Sequence, residues 1–283
     1  MIDETVEEIE EMQTHSSSVV AVKATQALAD LLDREYATVE EFQRGLERNA
    51  KALQRANPSH ASLHNAMRGV CTHVDGADPE TVTDAKAALS EAIESVVDDV
   101  EHGKRRAAEN ATDLIEDGTT VLTHDYSSTV LEAVELATRD GAYIDVYVTE
   151  ARPRYLGRKT ARTLAGNDRV ETHLLTDSGA GYYMDECDRV LIGMDCIVED
   201  TLYNRVGTFP IAATAAQCDV PVTVVGSGAK IIEDGFRFEN EFRSPSEVMR
   251  EPAEGFEVCN PAYDETPVSL LESVVTDDGE RTF

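Results

Sequence analysis

The sequence predicts a helical N-terminal domain followed by an α/β domain built on a doubly wound, mostly parallel sheet with helices on both faces. Two observations carry this expectation. Up to about Arg106 the apolar residues recur at helical spacing, whereas after Gly118 short β-rich runs alternate with helical ones. Such alternation implies parallel strands joined by right-handed crossovers. The boundary is placed after Arg106, giving domains 1–106 and 107–283.

In the first domain Val6, Ile9 and Met12 open the helical pattern. Val19, Val22, Leu28, Leu31 and Leu32 continue it, followed by Leu46, Ala50 and Leu53, and Leu89, Ile93, Val96, Val97 and Val100 close it. Breaks are expected at 57–59 and 75–79, where Asn, Asp and Pro start turns. His15-Ser16-Ser17-Ser18 interrupts the first helix, and its serines suit the cap of the next. His60, His64 and His73 have no acid at ligand spacing and read as structural. Lys104-Arg105-Arg106 is expected near the end of a long helix, where cations complement the dipole.

In the second domain, residues 119–123, 144–149, 170–175, 189–192 and 221–225 read as strands. Residues 130–138, 159–165 and 211–217 read as helices. The loops after the strands are polar: His124-Asp125-Tyr126-Ser127-Ser128, Glu150-Ala151-Arg152-Pro153-Arg154 and Thr176-Asp177-Ser178. The stretch GMDCIVEDTLYNRVGT from Gly193 puts Asp195 just past a buried strand, with Asn204-Arg205 in a turn that opens a helix over 209–217.

In an open parallel sheet the carboxyl ends of the strands line the ligand crevice, and a helix start offers free N–H groups to an anion. Asp195, Arg205, Arg152 and the Ser127-Ser128 helix start are therefore expected to meet in one pocket. Arg152, fixed by the following proline, can fork a phosphate or carboxylate. Taken singly, each loop is equally well explained by turn chemistry, with Asp195 capping a turn and Arg205 pairing with a surface acid. Four such loops at one edge point to a site. The sequence has neither G-x-G-x-x-G nor a P-loop, so no dinucleotide or nucleoside triphosphate is indicated.

The composition narrows the function further. Lys and Arg total 25 against 55 Asp and Glu, a net charge of −30. Acid spread along the whole chain suits a protein adapted to high salt, where screening removes self-repulsion. Direct binding of nucleic acid is disfavoured, although a local basic cleft can still hold a small phosphate. Cys71, Cys187, Cys196, Cys218 and Cys259 show no C-x-x-C and no histidine at metal-ligand spacing, so neither a metal, another cofactor nor a disulfide framework is expected. The acidic start, MIDETVEEIEEM, is unlike a signal peptide, and no apolar run approaches the roughly 18 residues of a membrane span. A cytoplasmic protein without membrane contact is expected.

Four motifs, in order, carry a resemblance: VLTHDYSSTVLEA from Val121, VTEARPRYLGRKTA from Val148, GMDCIVEDTLYNRVGT from Gly193 and NPAYDETPVSLL from Asn260. They resemble the alpha/beta/delta regulatory subunits of translation initiation factor 2B and their archaeal relatives. The same superfamily includes the isomerases of methylthioribose-1-phosphate and ribose-1,5-bisphosphate. The resemblance implies a Rossmann-like second domain and, with the acidic composition, a halophilic archaeal source. In those isomerases a cysteine in the first motif and an aspartate in the third move the proton. The aspartate falls on Asp195, but the cysteine position holds Asp125.

The arginine-glycine pair of the isomerases falls on His15-Ser16, a second departure. Glu150 with Arg152-Pro153, and Asn204-Arg205, keep the anion-binding pattern. The resemblance therefore implies binding of a phosphorylated sugar or nucleotide through Arg152, Asn204, Arg205, Ser127, Ser128, Glu150, His15 and Ser16, with translation-factor partners and a homodimer or larger homo-oligomer. The alternative is an aldose–ketose isomerase of a phosphorylated ribose, in which Asp125 and Asp195 share a proton. The sequence ranks binding without enzyme-like turnover ahead of isomerisation.

Overall fold

The computed structural model describes residues 2–11, 17–57, 60–233, 235–251 and 254–282. They form two compact units, one of Met1–Gly103 with Gly235–Glu239 and one of Lys104–Asp234 with Asn240–Phe283.

The first unit is helical, with α1 (Ile2–Glu11), α2 (Ser17–Ala27), α3 (Val39–Ala56), α4 (Ala61–Gly76) and the first two-thirds of α5 (Val82–Ala111). Its core joins the apolar stripe of these helices, including Phe42, Leu46, Leu53, Leu63, Met67 and Leu89, to Leu28 and Leu31 of the 3-10 turn after α2, all fully buried. The break at 75–79 falls at the end of α4, and α3 ends at Ala56, just before the break expected at 57–59, whose residues 58 and 59 lie outside the described residues. A further break, over 32–38, interrupts what reads in sequence as continuous helical spacing. There Thr38 caps α3, its hydroxyl accepting from the Glu41 N–H while the Glu41 carboxylate accepts from the Ala37 N–H.

The cluster 104–106 does not sit at a helix end, because α5 continues to Ala111. Its charges are met by side chains instead: Lys104 pairs with Glu132, Arg105 with Glu109 and Arg106 with Asp277. His15 and Ser16 lie outside the described residues.

The second unit is built on a seven-stranded sheet. Its strands are β1 (Thr120–His124), β2 (Ile144–Thr149), β3 (Val170–Leu175), β4 (Arg189–Gly193), β7 (Val222–Val225), β10 (Ser273–Thr276) and β11 (Gly279–Thr282). The order is β11-β10-β7-β4-β1-β2-β3, parallel throughout except for the β10–β11 hairpin. Strands β3-β2-β1-β4-β7-β10 thus follow the doubly wound order, in which the connection reverses direction between β1 and β4.

Alternate residues of each strand enter two cores. Val121, Val146 and Leu191 face α6 (Ser128–Arg139) and α7 (Gly157–Leu164), whereas Leu122, Val190 and Val224 face α9 (Thr208–Gln217) and the short α8 (Ala180–Tyr183). Burial on both faces explains why the central strands β1, β4 and β7 read as apolar runs, whereas the outer β3 keeps Glu171 and Leu174 exposed.

A second, four-stranded sheet was not legible in the sequence. It has the order β8-β5-β6-β9, from β8 (Ile231–Ile232), β5 (Cys196–Val198), β6 (Thr201–Arg205) and β9 (Tyr263–Pro267). Asn204 and Arg205 therefore end a strand instead of lying in a turn, and the turn is confined to Val206-Gly207. Pairing of Arg205 with Tyr263 across β6 and β9 holds that end in place.

Gly207 has φ +111, and a Cβ there would lie 2.6 Å from Cε1 of His124. Both facts demand glycine. Gly207→Ala is expected to destabilise the protein by about 2–4 kcal/mol, combining left-handed strain with overpacking. Urea unfolding of the purified variant checks this.

Candidate functional site

The crevice forms at the switch point because the residues after β1 and β4 leave the sheet on either side of it. His124 ends β1, and Asp125 turns away with φ +61. Its carbonyl accepts from the Thr160 hydroxyl at 2.6 Å, which ties the turn to α7. Asp195 follows β4 and Met194, and its N–H donates to the Tyr203 carbonyl of β6.

Arg205, at the end of β6, projects between the two acids. Its Nε is 3.7 Å from Asp125 Oδ2 and 3.6 Å from Asp195 Oδ2, with side-chain exposures of 25% for Arg205, 9% for Asp125 and 35% for Asp195. These are ion-pair distances beyond direct hydrogen bonding, so the guanidinium is shared between the acids and locked to neither. The ring of Tyr263 lies 4.8 Å beneath it. Burial pushes the Asp125 carboxyl above its ordinary value of 3.8. The Asp195 charge pushes the same way, while His124, Arg205 and Arg154 pull it down.

Asp125 and Arg205 open into a pocket that is also lined by Arg152, Arg154 and Arg243. Four arginines converge here in a chain with more than twice as many acids as bases. Arg152 comes from the loop after β2, which Asp177 clamps through the Ala151 and Arg152 N–H groups at 2.7 Å each. Its own Nη2 donates to the Val248 carbonyl at 3.0 Å. Among the described residues no acid lies within ion-pair distance of Arg154. Arg243 is already held by Glu241 and Glu247.

Other expected ligands are placed differently. Glu150 accepts two hydrogen bonds from Arg158, both on Oε2, which ties it to the start of α7. Asn204 is buried and donates to the Thr208 hydroxyl, closing the turn before α9. Ser127 caps α6 by accepting from the Val130 N–H, and Ser128 lies exposed in its first turn; neither lines the pocket. Ser127 does mark the switch point, because a Cβ on Gly193 would lie 2.5 Å from its Oγ.

Sequence reasoning missed Arg154, Arg243 and Lys230. Lys230 follows β7 and the Gly226-Ser227-Gly228 turn, and its Nζ donates to the Met194 carbonyl at 2.8 Å, next to Asp195. Burial lowers its pKa, against the attraction of Asp195. A cation right after the fifth parallel strand was the available signal. The neighbouring thiol, Cys196, is buried and pushed up to about 12, so it does not replace the missing cysteine at 125. Among the described residues no cluster of three or more His, Cys, Asp or Glu could hold a metal ion.

No helix among the described residues is long and apolar enough to cross a membrane. The ribose 1,5-bisphosphate isomerase of Haloterrigena turkmenica is 33% identical over 98% of this chain and 88% of its own. A putative translation initiation factor eIF-2B subunit 2-like protein of Pyrococcus furiosus is 25% identical over 97% of this chain and 94% of its own. The crystal structure of the Pyrococcus horikoshii OT3 translation initiation factor eIF-2B shares the fold, with a TM-score of 0.75 at 23% identity, covering 99% of this chain and 96% of that one. With the family model matching residues 13–282, the chain belongs to the initiation factor 2 subunit family.

Proposed function

We propose that the second unit binds a phosphorylated ribose in the arginine-lined pocket and isomerises it from aldose to ketose. The observation that carries this is the pair of carboxylates, Asp125 and Asp195, held on one guanidinium at the switch point. The identity to a ribose 1,5-bisphosphate isomerase over nearly the whole chain supports the reaction class. This reverses the order in which the sequence alone ranks binding and catalysis.

In a ribose phosphorylated at C1, an acid protonates the ring oxygen as the C1–O bond breaks, and a base removes the C2 proton, leaving an enol phosphate. The C2 hydroxyl then gives up its proton as C1 takes one, so the carbonyl ends on C2 with no net change in protons. Asp125, whose carboxyl is raised above its ordinary value by burial, is the acid. Asp195 is the base. In the second step Asp195 returns its proton to C1 and Asp125 recovers one from the C2 hydroxyl, which resets the pair. Arg152, Arg154 and Arg205 hold the phosphates, and Arg205 follows the charge as it moves between the carboxylates.

Deuterium from solvent water entering C1 of the ketose product, read by proton NMR, tests this route, because Asp195 exchanges with solvent between the steps. Arg152→Ala is expected to weaken ribose 1,5-bisphosphate binding by about 1.5–3 kcal/mol, the cost of one charge-assisted contact, measured by calorimetry. Unchanged affinity would place the phosphates elsewhere.

The second reading is a binding protein that senses the same ligand for translation-factor partners. The carboxylate at 125 in place of a thiol favours it, as does the similarity to the Pyrococcus furiosus factor-like protein. Tight binding without turnover is its signature. A homodimer is proposed under either reading, and light scattering in molar salt measures it.

A further inference from the structure

We infer that His124 is a positioning residue for the isomerisation, its imidazole fixing Asp125 and Arg205 in register with each other. The inference rests on the isomerase reading for its kinetic test but is argued from contacts that hold without ligand. His124 is buried at the end of β1, immediately before Asp125. Its Nδ1 lies 2.6 Å from the hydroxyl of Thr149, the last residue of β2, and its Nε2 lies 3.0 Å from the carbonyl of Val206, directly after Arg205.

A carbonyl only accepts, so Nε2 carries a hydrogen and donates to Val206; Nδ1 pairs with the Thr149 hydroxyl, which also lies 3.4 Å from the Thr123 carbonyl. One imidazole thus joins the three segments that supply Asp125, the Arg152 loop and Arg205. Gly207 closes against the same ring, with no room for a side chain. The residue at this position must therefore be flat, donate to the Val206 carbonyl at one end and pair with the Thr149 hydroxyl at the other. An aliphatic side chain would take the donor away from the Val206 carbonyl, leave the buried Thr149 hydroxyl only its longer contact with the Thr123 carbonyl, and free the Val206-Gly207 turn to shift.

The test compares wild type, His124→Ala and His124→Gln, because glutamine also carries a donor and an acceptor on one planar group. For His124→Ala, kcat/KM for ribose 1,5-bisphosphate is expected to fall at least fiftyfold and the Kd from calorimetry to rise at least fivefold. His124→Gln should bring both to within about threefold of wild type. A ligand-free readout accompanies these: the carbon-13 titration midpoint of the Asp125 carboxyl should move by at least half a pH unit in the alanine variant and return in the glutamine variant.

If glutamine does no better than alanine, His124 only fills space and the inference is overturned. It is likewise overturned if alanine leaves both affinity and the Asp125 midpoint unchanged. If the wild type does not turn over ribose 1,5-bisphosphate, the isomerase reading falls by itself. Affinity and the Asp125 midpoint then decide the role of His124, and the midpoint alone decides it if the wild type does not bind this ligand.

Discussion

Asp195→Asn is expected to lower kcat for ribose 1,5-bisphosphate isomerisation by about 10²–10⁴-fold, the usual contribution of a positioned general base. KM should stay within about threefold, because asparagine fills the same space and the arginines that hold the phosphates are untouched. The reason lies in the geometry. Asp195 is the more exposed of the two acids on Arg205, it stands at the carboxyl end of β4, and among the described residues no carboxylate other than Asp125 shares that guanidinium with it. Stopped assays with purified protein in molar salt measure the effect. A variant retaining more than a tenth of wild-type kcat would remove Asp195 from the proton path and return Arg205 and its acids to a structural role.

Arg205→Ala is expected to destabilise the second unit by about 2–4 kcal/mol at pH 8, since removing one partner of a largely buried ion pair leaves the other charge without compensation. The loss should shrink towards acid pH. The Asp125 carboxyl in the folded chain already lies above its ordinary value, and Arg205 is one of the groups pulling it down. Deleting Arg205 raises it further.

A carboxyl raised on folding weakens the folded state as pH climbs from the unfolded value of about 3.9 to the folded one, and by a constant amount above that. Wild type and variant both weaken from about pH 4, so the variant's deficit grows above the wild-type folded pKa and levels off above the variant's higher one. Urea unfolding at pH 5 and pH 8 checks the sign. An equal deficit at both, or a larger one at pH 5, would contradict the claim that Arg205 offsets the buried Asp125 charge. Arg205→Lys, which keeps the cation, should recover most of the loss.

Much of this architecture is legible in the sequence because both periods are strong. The central parallel strands β1, β4 and β7 are buried on both faces, so they stand out as short apolar runs, and the helices of the first unit carry an apolar stripe. The small sheet is not legible, because β5 and β6 are a tight hairpin of three and five residues and β9 follows long after them in the chain. Its pairing depends on contacts distant in sequence, which no local period records. That is why Asn204 and Arg205 read as turn residues when they end a strand.

The site was legible as far as strand ends reveal it. Asp125, Arg152, Asp195 and Arg205 come from four such ends, and three of them line the pocket. Glu150, Asn204 and Ser127 have the right chemistry, but their hydrogen bonds go to Arg158, Thr208 and the start of α6. Local sequence shows what a side chain can bind, and only the packing shows what already binds it. Arg243 and Lys230 were missed for the converse reason: they lie outside the motifs and reach the site through the fold.

The most direct measurement is the turnover of ribose 1,5-bisphosphate by the wild-type protein in molar salt, followed by phosphorus and proton NMR. The proposed function predicts a ketose product at a kcat of about 1 s⁻¹ or faster, with deuterium from the solvent at C1. Saturable binding of the bisphosphate with no ketose formed over hours would contradict it, and would leave Asp125 as part of a pocket that only binds.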